Sequence, residues 1–583
     1  MKLVGNPVSR GIVIGRVMRY EPFCPQIREN PILDEDIPKA LARYEEAAGH
    51  ARAELDGLEA RLRDTDPDKA KIIAAHRDIL QDPAMDEEIR ELVSGLRLSP
   101  DAAVARVYSA YADVLAKSKN ALMRERASDL LDVKARLLRC WAGAPEQTLS
   151  ALPGPVIVAA DDLYPSDTAA LDRTHVLGII TQVGGGTSHT AIIARSYEIP
   201  AVLGVAGAMT ALEDGRTVIL DAVEGVVVTE PSAEEMTAYR ARAEQTAARL
   251  REEKNYLDTE PLTADGTRLE VRLNVAAVTG HELSGTAYAD GCGLFRTEFL
   301  YLNGDHLPGE EEQFEAYRKV LAAFGSRPVV LRTMDIGGDK QLPALKLPGE
   351  SNPFLGVRGL RLSLDRLDLF RTQVRAALRA SAYGNLKIMM PMVGALDEVR
   401  AAKAVFAGEG SALDAAGIPW NHKIALGIMV EVPSIALIAD IAVKEVDFIS
   451  VGTNDLTQYL CAADRMNPAV RQYYQEYHPA VFRLMAHLAE TCSRAGKDIS
   501  VCGELGGDPL AIPVLVGMGI RQLSVGAASL AGAKRVIRTL KLPEVEELAA
   551  EVLKLGTHGE IRARLLAFAN AKRQSIEKER SDV

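Results

Sequence analysis

Gly184-Gly185-Gly186-Thr187-Ser188-His189-Thr190-Ala191-Ile192-Ile193-Ala194-Arg195 follows a short apolar strand, Val176 to Thr181, and passes straight into a helical apolar pattern at Ile192 and Ile193. Strand, glycine turn and helix in that order predict an α/β unit. The glycines let the backbone turn sharply and present N–H groups without side-chain obstruction. Thr187 and Ser188 are suited to cap the helix, whose electropositive N-terminus is a seat for phosphate. A histidine in that seat has a ring nitrogen free at neutral pH, able to attack a phosphoryl group and then carry it. A glycine-rich turn with an ordinary helix-start histidine is the plainer alternative. The Thr-Ser-His that follows the glycines at once favours phosphate chemistry.

Working outward, Leu3 to Arg19 alternates and carries Gly5, Gly11 and Gly15, like strands joined by tight turns. The period then changes to three and four residues at Leu41, Tyr44, Ala48, Ala51, Leu55, Leu58 and Leu62, a helix with one apolar stripe. Further helical patterns run from Lys69 to Leu80, Asp86 to Gly95, Val104 to Leu122 and Arg126 to Trp141. Strand-like sequence resumes at Val156-Ile157-Val158-Ala159, so the helical bundle is expected to be an insertion in one α/β domain. Ser232 with Glu235 forms a capping box that opens a long polar helix with few apolar residues, as a connector between domains would have.

Beyond it, eight apolar β-type runs alternate with helical segments: Leu269–Val275, Gly293–Thr297, Val329–Asp335, Leu386–Met392, Ile424–Val432, Val446–Gly452, Ile499–Gly503 and Gln522–Gly526. That alternation predicts a (β/α)8 barrel, whose chemistry sits where its strands end. The ends carry Arg296, Arg332, Glu431, Asn454 with Asp455, and Cys502. Lys340 and Arg358 lie in the loop after the third strand, and Arg465 follows the sixth. Guanidinium forks grip carboxylate and phosphate by paired bonds, so several at one mouth imply a multiply anionic ligand. Glu431 and Asp455 add the oxygen donors that Mg2+ prefers. A lone cysteine ending a strand is ordinarily buried packing. The expected architecture is multidomain α/β: an α/β domain at 1–20 and 145–230, an inserted helical subdomain at 21–144, a linker helix at 231–260, a barrel at 261–542 and a helical tail at 543–583.

The 583 residues are enough for roughly three domains. Apolar residues make up 47% and charged residues 25%, an ordinary balance for a water-soluble protein. The N-terminus lacks the apolar core of a signal peptide, and no apolar run approaches a membrane span. Cys24, Cys140, Cys292, Cys461, Cys492 and Cys502 are scattered without a CxxC pair, which predicts a cytoplasmic protein with reduced thiols. The net charge is −12, and Asp34 to Leu92 alone carries 17 acids against 9 bases. That balance argues against nucleic acid and fits either a solvated face or a docking surface for a small basic protein.

GGGTSHTAIIARS around His189, GLFRTEFL around Arg296, LRTMDIGGDK around Arg332 and Lys340, NPFLGVRG around Arg358, VEVPS around Glu431, VGTNDLTQY around Asp455 and CGELGGD around Cys502 together resemble enzyme I. This is the phosphoenolpyruvate–protein phosphotransferase family of the bacterial sugar phosphotransferase system. The resemblance covers nearly the whole chain, strongest from Gly291 to Gly507 and thinnest across the bundle. It implies that His189 is phosphorylated and that the acceptor is the small carrier protein HPr, bound by the bundle. It implies that Arg296, Arg332, Lys340, Arg358, Asn454 and Arg465 hold phosphoenolpyruvate, and that Glu431 and Asp455 hold Mg2+. Cys502 matches the proton donor to the enolate, Thr168 matches a residue that orients the histidine, and the barrel is expected to form a homodimer. Gly186 stands where the family commonly has a basic residue, and Gln182-Val183 where it often has Asp-Ala. Pyruvate phosphate dikinase and phosphoenolpyruvate synthase share the histidine motif and the barrel but need a nucleotide-binding domain, for which this chain has neither a Walker motif nor unassigned length. A regulatory, nitrogen-related branch of the phosphotransferases is the other alternative; it often carries an extra N-terminal sensory domain.

Overall fold

The computed structural model describes the chain except residues 22–26, 28–30, 64–66, 117–120, 145–148, 150, 151, 153, 164–166, 168–170, 173, 185–188, 277, 279–282, 284, 303–305, 339–344, 346–349, 582 and 583. At 61, 67–69, 71, 116, 121–125, 189, 192, 196, 302, 468 and 576–581 it describes the backbone alone. The chain forms two compact units, Met1–Leu250 and Arg251–Val583.

The first unit is built on an eight-stranded sheet in the order β1-β8-β7-β3-β4-β5-β6-β2. Its strands are β1 (Lys2–Val4), β2 (Asn6–Ser9), β3 (Ile12–Tyr20), β4 (Val156–Ala160), β5 (Val176–Thr181), β6 (Ala201–Leu203), β7 (Thr217–Asp221) and β8 (Val226–Val228). The centre, β3-β4-β5-β6, is parallel, and the flanking pairs are antiparallel. Ile157 and Ala159 of β4 pack on one face of the sheet and Val158 and Ala160 on the other, which is why that strand is apolar throughout rather than alternating.

Between β3 and β4 the chain leaves the sheet to make the bundle: α1 (Ile37–Arg63), α2 (Pro67–Leu80), α3 (Pro83–Gly95), α4 (Pro100–Ala116) and α5 (Ala121–Ala142). The expected helices Val104–Leu122 and Arg126–Trp141 correspond to α4 and α5; residues 117–120 of the first lie outside the described residues. Tyr44 and Ala51 of α1, Ile89 and Val93 of α3, Val107 and Tyr108 of α4 and Val133 and Leu137 of α5 share one core. Asp82 caps α3, accepting from the N–H groups of Ala84 and Met85 at 2.9 and 3.1 Å. Helix α6 (His189–Ser196) follows β5, and α7 (Ala233–Lys254) is opened by the expected capping box. The Ser232 N–H donates to Glu235 Oε2 at 3.0 Å, and the Glu235 N–H donates to Ser232 Oγ at 3.1 Å. Only Glu253 is buried along α7 among its described residues, and the division between the two units falls within this helix.

The second unit is a closed ring of parallel strands: β9 (Glu270–Val275), β10 (Cys292–Arg296), β11 (Val329–Arg332), β12 (Leu386–Met390), β13 (Ala425–Val430), β14 (Phe448–Val451), β15 (Asp498–Val501) and β16 (Gln522–Val525), the last pairing with β9. Each overlaps one of the eight expected runs, β10 and β15 starting one residue before theirs, so an α/β domain with an inserted bundle followed by a (β/α)8 barrel is the observed architecture. Alternation sorts the side chains. Leu294, Val330, Met389, Met429 and Phe448 point inward and pack with Cys502. Phe295, Ile388, Met390, Ile428 and Val430 join the larger core under the helices. The inner layer is tight: a Cβ at Gly427 would lie 2.5 Å from the Phe448 ring. The helices Leu542–Val552 and His558–Ser581 close the chain, with Leu548, Ile561 and Leu565 buried in the same core. Among the described residues no helix is long and apolar enough to cross a membrane.

Candidate functional site

Arg332 ends β11 and is buried. Its Nη2 donates to Glu298 Oε1 at 2.8 Å and its Nη1 lies 3.2 Å from Asp335 Oδ2. Arg358, only 1% exposed, grips two carboxylates at once. Its Nε and Nη2 donate to the two oxygens of Asp335, both at 3.0 Å, while Nη1 and Nη2 donate to those of Asp455 at 2.9 and 3.3 Å. These four bonds occupy four of the five N–H groups a guanidinium has. Arg465 Nη1 lies 3.5 Å from Asp455 Oδ2. The mouth of the barrel therefore holds one continuous row of alternating charge: Glu298, Arg332, Asp335, Arg358, Asp455, Arg465. Burial works against the charge on Arg332 and Arg358. The facing carboxylates, Glu298 first for Arg332 and Asp335 first for Arg358, outweigh it and hold both guanidinium pKa values above the ordinary arginine range.

The remaining predicted residues surround that row. Arg296 ends β10, is exposed, and has no ion-pair partner among the described residues. Glu431 follows β13 and is buried; its Oε1 accepts the Met392 N–H at 2.7 Å. Burial, then the charges of Asp455 and Asp335, push the Glu431 carboxyl well above its usual range. Gly452 makes room for it, since a Cβ there would lie 2.7 Å from Glu431 Oε2. The Asn454 side chain is held by Glu504, accepting its N–H at 3.0 Å and donating to its Oε1 at 3.4 Å. Cys502 follows β15, is 3% exposed, and its Sγ lies 3.5 Å from the Val451 carbonyl oxygen, to which it donates. Burial pushes the thiol up to about 11, so it is protonated at neutral pH. Lys340 lies outside the described residues.

Three buried donors at this mouth have no hydrogen-bond partner among the described residues: Arg332 Nε, Thr333 Oγ1 and Thr453 Oγ1. An unsatisfied buried donor costs about 1–3 kcal/mol, which a bound oxyanion would recover. Arginines fixed by carboxylates, donors left over and a protonated thiol in one barrel mouth make a site for a small polyanion beside a proton source.

The histidine segment is built differently. His189 is the first residue of α6, where the free N–H groups of the helix gather. Its side chain, Gly185 to Ser188 and Thr168 lie outside what is described. Gly184 has φ +102°, a conformation that only glycine adopts freely. The loop after β5 is stitched to the loop after β4. The N–H groups of Gln182 and Val183 donate to the carbonyls of Ala160 and Asp161, both at 3.0 Å. Gln182 Nε2 donates to Asp161 Oδ1 at 2.8 Å, and Gln182 Oε1 accepts the Met209 N–H at 3.3 Å. Buried Thr190, next to His189, lies 3.4 Å from the Leu163 carbonyl oxygen, to which its Oγ1 donates.

Three family models match the chain: "PEP-utilising enzyme, N-terminal" over residues 4–126, "PEP-utilising enzyme, mobile domain" over 152–225, and "PEP-utilising enzyme, PEP-binding domain" over 250–542. The chain is 42% identical over 561 residues to a phosphoenolpyruvate-protein phosphotransferase of Bacillus sp. (strain S), covering 96% of each protein. It is equally similar to that of Geobacillus stearothermophilus, and 40% identical over 563 residues to that of Bacillus subtilis (strain 168), covering 96% of this chain and 98% of the relative. The chain belongs to the phosphoenolpyruvate-protein phosphotransferase family.

Phosphotransferases of the wider PEP-utilising family use a divalent metal. The acidic side chains at this barrel mouth supply the oxygen donors that a hard divalent cation takes. Among the described residues no group of three or more metal-ligating side chains stands together, but Glu431 carries a carboxyl that no cation in the row grips. A hard divalent cation takes carboxylate and phosphate oxygens, and Glu431 and Asp455 are carboxyls close enough for the charge of one to act on the other, with both Asp455 oxygens bonded to Arg358. Sequence reasoning missed Glu298, Asp335, Thr333 and Thr453. Asp335 ends an apolar run and Glu298 stands two residues after Arg296; acids placed beside strand-end arginines were the available signal.

Proposed function

We propose that the chain transfers the phosphoryl group of phosphoenolpyruvate to His189 and from there to a histidine of HPr, releasing pyruvate. The observation that carries this reading is the row of carboxylate-fixed arginines with unsatisfied donors at the mouth of a family-matched barrel. Arg296, Arg332, Lys340, Arg358, Asn454 and Arg465 hold the ligand, with Arg358 acting chiefly by fixing Asp335 and Asp455. Glu431 and Asp455 hold Mg2+, which when bound neutralises charge on the phosphoryl oxygens.

Neutral His189 attacks phosphorus in line through a ring nitrogen; the N–P bond forms as the bond from phosphorus to the enol oxygen breaks. The electron pair remains on the leaving enolate. Its carbon takes a proton from the Cys502 thiol, giving pyruvate, and the thiolate is reprotonated from water. Thr168 orients the histidine, and the acidic helices at 21–144 receive the carrier. The domain limits expected from the sequence divide these tasks, and the barrel forms the contact of a homodimer. Incubation with phosphoenolpyruvate labelled in its phosphoryl group and Mg2+ should give acid-labile, base-stable label that is chased onto HPr. Label that appears only with ATP would refute this reading.

A further inference from the structure

Tyr20 is the last residue of β3, at the point where the chain leaves the sheet for the bundle. Its ring is buried, and its hydroxyl donates to Asp167 Oδ1. Burial first, then the negative charge of Asp167, raises the phenol pKa far above its ordinary value, so the hydroxyl remains a donor. Asp167 immediately precedes Thr168 and lies four residues on from Leu163, whose carbonyl oxygen accepts from Thr190 beside His189. Tyr20 packs in the same core as Leu163, and the charges of Asp132 and Arg136 of α5 act on its hydroxyl, the first raising and the second lowering its pKa. Asp132 is in turn fixed within the bundle. His76 of α2, 1% exposed, sits with Nδ1 3.6 Å from Asp132 Oδ2 and Nε2 3.2 Å from Asp129 Oδ1. Arg136 Nη1 is held by Glu54 of α1 at 2.7 Å. Buried and half-buried polar groups thus join α1 and α2 to α5, whose charges act on Tyr20, and Tyr20 is bonded to Asp167.

A tyrosine in this place has a packing role that phenylalanine would fill. The hydroxyl adds something phenylalanine cannot: a directed bond from the end of β3, where the chain leaves for the bundle, to Asp167, the neighbour in sequence of Thr168. We propose that Tyr20 is a positioning residue that holds the Asp167 segment in register with the bundle, so that a carrier docked on the helices meets His189 in a productive geometry. The proposal rests on the reading that His189 carries the phosphoryl group. Misplacement of a reacting group by about an ångström can slow transfer by about a hundredfold, and loss of one tether should have a smaller effect.

The test uses the full chain with labelled phosphoenolpyruvate, Mg2+ and HPr, comparing wild type with Tyr20→Phe. The expected result is a fall of about tenfold in kcat for transfer to HPr, with the KM for HPr unchanged because the docking helices are intact. Asp167→Asn, which keeps an acceptor for the hydroxyl, should lie between the two, and Tyr20→Phe/Asp167→Asn should be no slower than Tyr20→Phe alone. Transfer at the wild-type rate by Tyr20→Phe would overturn the proposal. So would a raised KM with kcat kept, which would mark a bundle merely loosened. If Tyr20→Phe does not fold, the kcat of Asp167→Asn decides, and a wild-type value overturns the proposal. Failure of the wild-type chain to take label on His189 would remove the histidine reading itself; label there with unaltered hand-off removes only the role of Tyr20.

Discussion

The barrel mouth and the histidine loop are held by different kinds of bond. At the mouth, charged side chains from several strand ends and loops lock one another into a buried row from Glu298 to Arg465. At the histidine loop, among the described residues, two backbone bonds to the adjoining loop are joined by side-chain bonds of Gln182 and Thr190, and none of them is an ion pair. The difference follows from what each must do. Stabilising a phosphoryl group in transit requires cations that are already aimed and do not reorganise. A residue that receives a phosphoryl group and gives it up needs access, which a helix N-terminus at the end of a sheet supplies without burying charge. On the reading proposed above, the donor site is set by ion-paired side chains and the acceptor stands at the start of a helix.

Cys502 gives the largest test of that contrast. If the mouth is a catalytic arrangement, Cys502→Ala should fold and bind phosphoenolpyruvate yet turn over about 10²–10⁴-fold more slowly, the usual worth of a general acid. In deuterated water, with a substrate stereospecifically labelled at C3, its pyruvate should lose facial selectivity. Near-normal turnover with selectivity kept would make the cysteine a packing residue. The same thiol has a pH signature. Its folded-state pKa is raised to about 11, above the ordinary 9.0, so the folded protein holds the proton more tightly than the unfolded chain. Its contribution to stability is fully present below about pH 9 and is lost as pH rises from there through about 11. Alkylation of Cys502 in the folded protein should be slow at neutral pH and accelerate across that window.

The arginines divide on the same lines. Arg358→Met leaves Asp335 and Asp455 facing each other without the cation between them, and should destabilise the barrel by about 3–5 kcal/mol in denaturant titration. Arg296→Ala, at an exposed position with no ion-pair partner among the described residues, should change stability by less than about 0.5 kcal/mol while raising the KM for phosphoenolpyruvate. Equal losses of stability from the two would erase the distinction between fixed and free cations.

Much of this was legible in the sequence, for reasons particular to each element. β4 and β13 read as unbroken apolar runs because both of their faces are buried, and the Ser232–Glu235 box marks the start of α7 by its own chemistry. Arg332 and Glu431 were visible because a charge at the end of such a run needs a reason. Asp335 and Glu298 were not, since their partners are decided by barrel closure: Arg358 meets Asp455, 97 positions away, only because the loops that carry them come together at one mouth. Gln182 was read only as a departure from the family's usual Asp; the structure gives it two partners, Asp161 and Met209.

That pair of bonds yields the smallest expected effect. Gln182→Ala should cost about 1 kcal/mol of stability and slow phosphorylation of His189 severalfold, leaving phosphoenolpyruvate binding unchanged. A change in ligand affinity, measured by calorimetry, would mean that the loop and the mouth are not built independently.

The account turns on a single residue accepting what the barrel binds. Labelled phosphoenolpyruvate and Mg2+ should be given to the wild-type chain and to His189→Ala, with the label mapped by peptide mass spectrometry and binding followed by calorimetry. Wild type should carry label on His189 alone, and His189→Ala should bind phosphoenolpyruvate with undiminished affinity and take up none. Stable label on His189→Ala, or wild-type label on another residue, would contradict the account.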